Sequence, residues 1–395
     1  MKVLVTGGAG FIGSQTVDTL LAAGHDIIVL DVLDPQVHGH CNGKPANLAG
    51  PLGRGDIRFV AGSVEDRELV ATLARDCDTI VHLAAAVGVG QSGYQPYAYT
   101  ASNALGTASV LDAIATGRTK VERLVVASSI SNYGEGAGYN PRRAAIVAPE
   151  RNAADLAQGR WEPCDPADGL PTVPVPTPET HPIKPQSIYG LTKAFTEDAA
   201  LRTGIDHDLT VVALRFANTY GPRQALSNPY TGVVANFCSR LLAGKRPIVF
   251  EDGQQRRDFL HVRDAAQAIV LALTKPLAGS TVVNVGTGGS WSLLDLIQII
   301  DKKLATGLSP QILARARAGD VRHFFPDTAR ARALLGFTPS VDLAQGIEDV
   351  LVQVASQPVI ERGDQALAEL EKAGFLSGPE AATPARQPTP RRAHS

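Results

Sequence analysis

Val3-Leu4-Val5-Thr6-Gly7-Gly8-Ala9-Gly10-Phe11-Ile12-Gly13 is the stretch on which the reading of the whole chain turns. A short apolar run enters a glycine-rich turn and the residues beyond it take up helical spacing, which predicts strand, tight turn and helix. Glycine tolerates positive φ and close backbone approach, so a loop built on Gly7, Gly10 and Gly13 leaves its amides facing outward at a helix N-terminus. Such a loop can cradle a pyrophosphate. Glycine loops also end strands for packing reasons alone, so the surrounding pattern has to decide.

Working outward, Phe11 to Ala23 carries apolar residues at helical spacing and stops at Gly24, a suitable C-terminal cap. Asp26-Ile27-Ile28-Val29-Leu30-Asp31 follows, apolar in its middle as a strand buried on both faces of a parallel sheet should be. It closes on an acid 18 residues beyond Gly13. In a dinucleotide fold that acid hydrogen-bonds the adenosine ribose, and with no arginine directly after it to take a 2′-phosphate the pattern favours NAD over NADP. Residues 32–55, rich in Gly, Pro and Asn, read as a long surface loop. Strands at Ile57 to Val60, Thr79 to Leu83, Leu124 to Ala127 and Thr210 to Arg215 then alternate with helices at Asp66 to Ala74, about 96–115 and Ser187 to Arg202. The alternation predicts an α/β fold with a doubly wound parallel sheet.

Residues 138–186 break the rhythm with a proline run and are expected to lie over the surface as an insertion. Helices near 233–243, 264–274, 292–304 and 343–355 alternate with short strands in the second half. Glu361 to Ala373 has helical character, and from Ser377 the chain lacks the apolar content to fold and is expected to be disordered. No function is assigned to this tail.

Composition excludes several classes. The net charge is -2 and the Lys and Arg residues are scattered, so nothing recruits nucleic acid or an anionic membrane. Cys41, Cys77, Cys164 and Cys238 stand far apart, in neither a disulfide framework nor a metal-ligand spacing. No apolar run has the length of a signal peptide or a membrane span. Reduced thiols in a soluble, cytoplasmic protein without a metal are the expectation.

Tyr189-Gly190-Leu191-Thr192-Lys193 puts a phenol and an ammonium four residues apart on one helical face. A neighbouring ammonium, with a positive nicotinamide ring, favours phenolate and would bring the tyrosine toward neutrality as a base. Ser128-Ser129 follows a strand and so lies at the carboxyl edge of the sheet, where open α/β sheets bind ligands.

These residues carry a resemblance. Thr6 to Gly13, Asp31, His82-Leu83-Ala84-Ala85, Asn103, Ser128-Ser129 with Tyr133-Gly134, Tyr189 to Lys193, and Leu214 to Arg223 are similar to the ordered motifs of the extended short-chain dehydrogenases, the NAD-dependent nucleotide-sugar epimerase and dehydratase family. The resemblance covers about residues 1–355. It implies a Rossmann-type fold with a smaller, interleaved C-terminal substrate lobe. The NAD-binding domain would span 1–210, its sheet completed by segments near 211–220 and 260–285, the nucleotide-sugar lobe mainly 221–355, and the extension 356–395.

The resemblance further implies that Ser129, Tyr189 and Lys193 are catalytic. Gly7, Gly10, Phe11, Ile12, Gly13 and Asp31 would bind NAD, together with Ser63, Val64, Leu83, Ala84, Ala85, Asn103, Tyr189 and Lys193, the lysine on the nicotinamide ribose. Val87, Ser129, Asn218, Val233, Arg257 and Arg317 would bind substrate, the two guanidinium groups meeting a diphosphate. Gly62-Ser63 departs from the family's usual Gly-Asp. Ser129-Ile130-Ser131 stands where the dehydratases carry Thr-Asp-Glu, and without those carboxyl groups dehydration is disfavoured. Ala86 to Ser92, Trp161-Glu162-Pro163-Cys164 with Thr177-Pro178-Glu179, and Asn228 to Val233 are most similar to the dTDP-L-rhamnose 4-epimerase subgroup. That subgroup often has more cysteines in the insertion; Cys164 alone supports no zinc site. The expected activity is epimerisation of a nucleotide sugar, dTDP-linked by preference, through a transient 4-ketosugar in a homodimer. A dehydrogenase or ketoreductase with net redox, or a non-catalytic NAD-binding protein, are the alternatives.

Overall fold

The computed structural model describes residues 1–225, 232–356 and 363–379. Its centre is a seven-stranded parallel sheet built from β1 (Lys2–Thr6), β2 (Asp26–Asp31), β3 (Ile57–Ala61), β4 (Thr79–His82), β5 (Arg123–Ser129), β6 (Thr210–Phe216) and β7 (Thr281–Val285). In space the strands run β7-β6-β5-β4-β1-β2-β3. The chain builds outward from β1 to β3 and then jumps back to place β4 on the other side of β1, with Val3 paired to Ile27 on one edge and Thr79 on the other. That reversal opens a crevice at the carboxyl ends of β1 and β4, where ligands of open α/β sheets sit.

The apolar runs form strands because both faces of the sheet are covered. Val3, Val5, Ile27, Val29 and Val125 enter one core, with Val17 of α1 (Phe11–Ala22) and Ile269 of α6 (Val262–Thr274). Leu4, Ile28, Leu30, Leu124 and Val126 enter the other, with residues of α2 (Arg67–Ala74), α3 (Gly106–Ala115) and α4 (Ile188–Asp206). The parity of the residue number selects the face, as the twofold repeat of a strand requires. A third core joins α5 (Val233–Leu242), α7 (Leu293–Leu304) and α8 (Leu343–Ala355) in the second half of the chain.

Three stretches differ from expectation. Residues 32–55 are not a plain loop: Asp34 accepts the Gln36 amide at 2.7 Å and caps a turn of helix over Pro35–His38, and further on Leu48 is fully buried. The helix expected near 96–115 is a short turn at Pro96–Tyr99, a wider π-type stretch at Thr100–Leu105, and then α3. The insertion is bolted to the second half by buried charges. Arg151 pairs with Glu135 at 2.7 Å and Glu251 at 2.6 Å, while Arg322 pairs with Glu162 at 2.6 Å, Glu251 at 2.9 Å and Asp252 at 2.6 Å.

The C-terminal extension forms helix α9 (Gly363–Lys372), and Leu376–Ser377 then pairs antiparallel with Ala316–Arg317. Ser377, where disorder was expected to begin, is therefore in a strand, held by backbone pairing that the composition of the tail does not reveal. The tail from 380 onward and Asn228 to Thr231 of the Asn228-to-Val233 motif lie outside the described residues.

Candidate active site

The site starts at the glycine turn. Gly7 leaves β1 at φ +69°, and its amide donates to Leu30 O at 2.8 Å, tying the turn to β2. A Cβ on Gly13 would lie 2.1 Å from Gly7 O and 2.7 Å from the Gly8 Cα, so α1 can begin this close to the turn only on glycine. No side chain caps α1, which leaves its first amides for an anion. Asp31 ends β2 with a divided role. Its Oδ2 accepts the Ala9 amide at 3.0 Å, its Oδ1 accepts the Leu33 amide at 2.9 Å, and His38 Nε2 approaches Oδ1 to 3.5 Å.

From this turn a cavity of about 930 Å³ runs across the carboxyl ends of the strands into the second half of the chain. Every candidate catalytic, cofactor-binding or substrate-binding residue reaches its wall except Asn103. Asn103 is buried behind the wall: its Oδ1 accepts the Ala86 amide at 2.7 Å, and its Nδ2 donates to Ala86 O at 3.1 Å and Thr192 Oγ1 at 2.9 Å. It braces the wall loop against α4. Next to it His82 links Thr6 and Thr107 at 2.8 and 3.1 Å, and burial pushes it down to about 3, so it is neutral.

Ser187 caps α4 by accepting the Gly190 amide at 3.0 Å, which presents Tyr189 and Lys193 from the first turns. The Tyr189 amide donates to Ser92 Oγ at 3.1 Å, and the ring of Tyr99 meets that of Tyr189 edge-on at 6.4 Å. Burial pushes the Tyr189 phenol up to about 12, with the Ser129 hydroxyl pulling the other way. Burial also brings Lys193 down to about 8, and its Nζ donates to Ala127 O at 2.9 Å. The lysine, without the positive nicotinamide ring that the expectation joined to it, does not offset the burial of the phenol. Ser129, the last residue of β5, is buried and its Oγ also accepts the Ser131 amide at 3.1 Å. Behind it Glu197 accepts Ser128 Oγ at 2.6 Å and Arg215 Nε at 2.9 Å.

The other end carries the arginines. Arg257 donates to Arg256 O at 2.8 Å and Arg322 O at 2.9 Å, which fixes its guanidinium without neutralising it. Arg317 lies 5.2 Å over the Phe250 ring and is held in a fork by Asp320 at 3.0 and 2.8 Å, so its charge is already shared. Asn218 Oδ1 is buried without a partner among the described residues. Val87 is half exposed into the cavity, and Val233 opens α5.

Several wall residues were not singled out beforehand. Gln36 and Gln91 exchange reciprocal amide hydrogen bonds at 3.0 and 3.1 Å, and Tyr99 donates to Gln91 Oε1 at 3.1 Å. Ala366, Leu367 and Leu370 of α9 complete the wall near Arg317. Asp34-Pro35 is a legible helix-start signal for the first of these, and the spacing of 363, 366, 367 and 370 marks a helical face for the last. What either would pack against is not local information.

Comparison with known proteins agrees with this layout. The model of the NAD dependent epimerase/dehydratase family matches residues 3–153 and 167–286. The chain is 34% identical over 360 residues to dTDP-L-rhamnose 4-epimerase from Burkholderia thailandensis, covering 90% of this chain and 95% of that one. It is 30% identical over 355 residues to dTDP-glucose 4,6-dehydratase from an Actinoplanes species, covering 89% and 97%. Among solved structures, the UDP-glucose 4-epimerase of Thermotoga maritima with UDP-glucose superposes with a TM-score of 0.70 at 30% identity, over 90% of this chain and 99% of that one. With a family model that spans more than half of its length and relatives matched almost end to end, the chain belongs to the NAD dependent epimerase/dehydratase family.

Proposed function

We propose that the protein is an NAD-dependent nucleotide-sugar 4-epimerase, with a dTDP-linked sugar as substrate in the manner of its rhamnose-epimerase relative. The observation that carries this reading is one cavity containing the glycine turn, the Ser129, Tyr189 and Lys193 triad and two fixed arginines. The uncapped α1 N-terminus, a turn with no room for side chains and the Asp31 carboxylate fit a dinucleotide. Gly7 to Gly13 and Asp31 would hold the cofactor, with Ser63, Val64 and Leu83 to Ala85 beside it. When bound, NAD supplies a reversible acceptor of hydride at the sugar carbon.

The chain's own part is proton transfer and positioning. Tyr189 Oη removes the proton from the C4 hydroxyl and later returns it. Ser129 hydrogen-bonds the same sugar oxygen, and a charged Lys193, with the positive cofactor, offsets the burial that holds Tyr189 high. Arg257, Arg317 and Asn218 hold the diphosphate while the flattened ketosugar presents its other face. Epimerisation is favoured over dehydration because Ile130 and Ser131, which line the cavity beside Ser129, supply no carboxyl group for elimination. We assign residues 1–210, with the strands that complete the sheet, to cofactor binding, and 221–355 mainly to the substrate. A cytoplasmic homodimer is proposed on family grounds.

The test is incubation of the protein with dTDP-L-rhamnose and no added cofactor, followed by proton NMR. Inversion at C4 is expected, and Tyr189→Phe should lower turnover by roughly 10² to 10⁴ while leaving NAD content unchanged. Free NADH accumulating in step with a ketosugar would overturn the epimerase reading in favour of a dehydrogenase.

A further inference from the structure

The C-terminal extension is built into the site. Gly363, Ala366, Leu367 and Leu370 share one face of α9 and line the cavity. No polar side chain of the helix does so. An adjoining side is pinned by charge: Asp364 pairs with Arg240 at 3.0 Å and Lys245 at 2.8 Å, and Glu371 pairs with Arg315 at 2.7 Å. The segment that follows locks onto the substrate end directly. Leu376 pairs with Arg317 in the two-residue strand, and Phe375 O accepts the Ala318 amide at 2.8 Å. The Phe375 ring occupies the space left by Gly93, where a Cβ would meet it at 2.4 Å, and it packs edge-on against Tyr94. Leu370 stands over Gly90, where a Cβ would lie 3.6 Å from Leu370 and 3.8 Å from Arg317. Thus α9 and the loop that carries Val87 and Val89 close the cavity beside Arg317.

We propose that α9 is the sugar-selecting wall of this enzyme, and that Leu367 and Leu370 make it accept a sugar edge bearing a deoxygenated carbon, the methyl of a 6-deoxyhexose, over one bearing a hydroxyl or carboxylate. The inference rests on the reading that the cavity holds a nucleoside-diphosphate sugar. A hexose presents a hydroxyl at almost every carbon, and each needs a partner once water is excluded. The face of α9 has none to give. The cationic side chains at this end, Arg257 and Arg317, are taken by the diphosphate in that reading, so a sugar carboxylate would have to compete with it for a counter-ion. An apolar wall rejects an added hydroxyl only moderately, by roughly ten- to a hundredfold.

The experiment uses the full-length protein with its NAD, and two dTDP-hexoses of equal stereochemistry that differ only at C6, methyl against hydroxymethyl. Binding is measured by calorimetry and turnover by NMR, for the wild type, Leu367→Asn, Leu370→Asn and Gly93→Val. The wild type should bind the 6-deoxy sugar at least tenfold better. Leu367→Asn should reduce that ratio severalfold with NAD content and Tm unchanged, and Gly93→Val, which displaces Phe375 and with it the bond from the Phe375 amide to Leu370 O, should weaken both sugars. Equal binding of the two sugars by the wild type, or an unchanged ratio in a folded, NAD-loaded Leu367→Asn, would overturn the proposal. Leu367 is half exposed, so it decides the matter should Leu370→Asn unfold. Preferential binding that shifts in Leu367→Asn, without any epimerisation, supports the wall and removes the epimerase reading. Failure of both sugars to bind removes both.

Discussion

Replacing Glu197 with leucine should unfold this protein more readily than removing Glu197 and its partner together. Glu197 and Arg215 have side chains only 1% and 4% exposed and are paired directly. Glu197 also accepts from Ser128 Oγ at 2.6 Å and Asn132 Nδ2 at 3.3 Å, and Arg215 donates to Tyr133 Oη at 2.6 Å and Glu179 O at 3.2 Å. In Glu197→Leu the guanidinium stays in the interior without its counter-ion, which costs about 3–5 kcal/mol. At about 2 °C per kcal/mol for a large chain, the midpoint should fall by roughly 6–10 °C. Adding Arg215→Met removes the stranded charge. Tyr133 Oη still donates to Asn284 Oδ1 at 2.7 Å, so the double variant keeps that bond and should recover about half of the loss. Denaturant titration of the wild type, both single variants and the double variant gives the coupling energy directly. A Glu197→Leu cost below about 1 kcal/mol, or a double variant no more stable than Glu197→Leu, would refute the reasoning that the pair is held by mutual compensation.

Two further perturbations address the turn and a buried acid. Gly13→Ala places a methyl 2.1 Å from Gly7 O, so the variant should purify without NAD or fail to fold, as absorbance and cofactor release after denaturation will show. Asp258 accepts the amides of Thr287 and Gly288, and burial raises its carboxyl to about 6. Its folded form therefore binds a proton more tightly than the unfolded chain, so its contribution to stability is largest at low pH and is lost as pH rises through about 6. Between about pH 4.5 and 7 the stability of the wild type relative to Asp258→Asn should fall by about 2 kcal/mol, measured as paired denaturation curves across that range. A difference that stays flat with pH would show that Asp258 is ionised throughout.

The sheet was readable because strands buried on both faces need an unbroken apolar middle, and β1, β2, β5 and β6 each have one of three or four residues. The candidate residues were readable to the extent that their positions are set by the ends of those strands: Gly13, Asp31 and Ser129 fall where β1, β2 and β5 deliver them. The bracing of Asn103 against Ala86 and Thr192 was not readable, because its environment is set by a widened helical stretch with no sequence mark. The tyrosine's high pKa follows from burial, which depends on Tyr99 and the loop around Ser92, remote in the chain. The fork between Arg317 and Asp320 lies within four residues and could have been anticipated from their spacing. The role of α9 could not, since its partners at Gly90, Gly93 and Arg317 come from two distant segments.

The wide stretch at Thr100–Leu105 acts as a phase adjuster. Upstream of α3 it turns Asn103 toward Ala86 and Thr192, while four residues on Thr107 meets His82 and Thr196, and Val110 and Ile114 still enter the core. Asn103, Thr107, Val110 and Ile114 follow one another at four, three and four residues, so one helical face carries them all, and the wide stretch fixes the phase at which that face continues into α3. Conservative changes of side chain in this segment are therefore less consequential than a change in its length. Loss or gain of a single residue between Pro96 and Gly106 would swing either the brace behind the active-site loop or the core face of α3 out of register, which makes the length of this stretch, more than its composition, the property that the fold and the site hold in common.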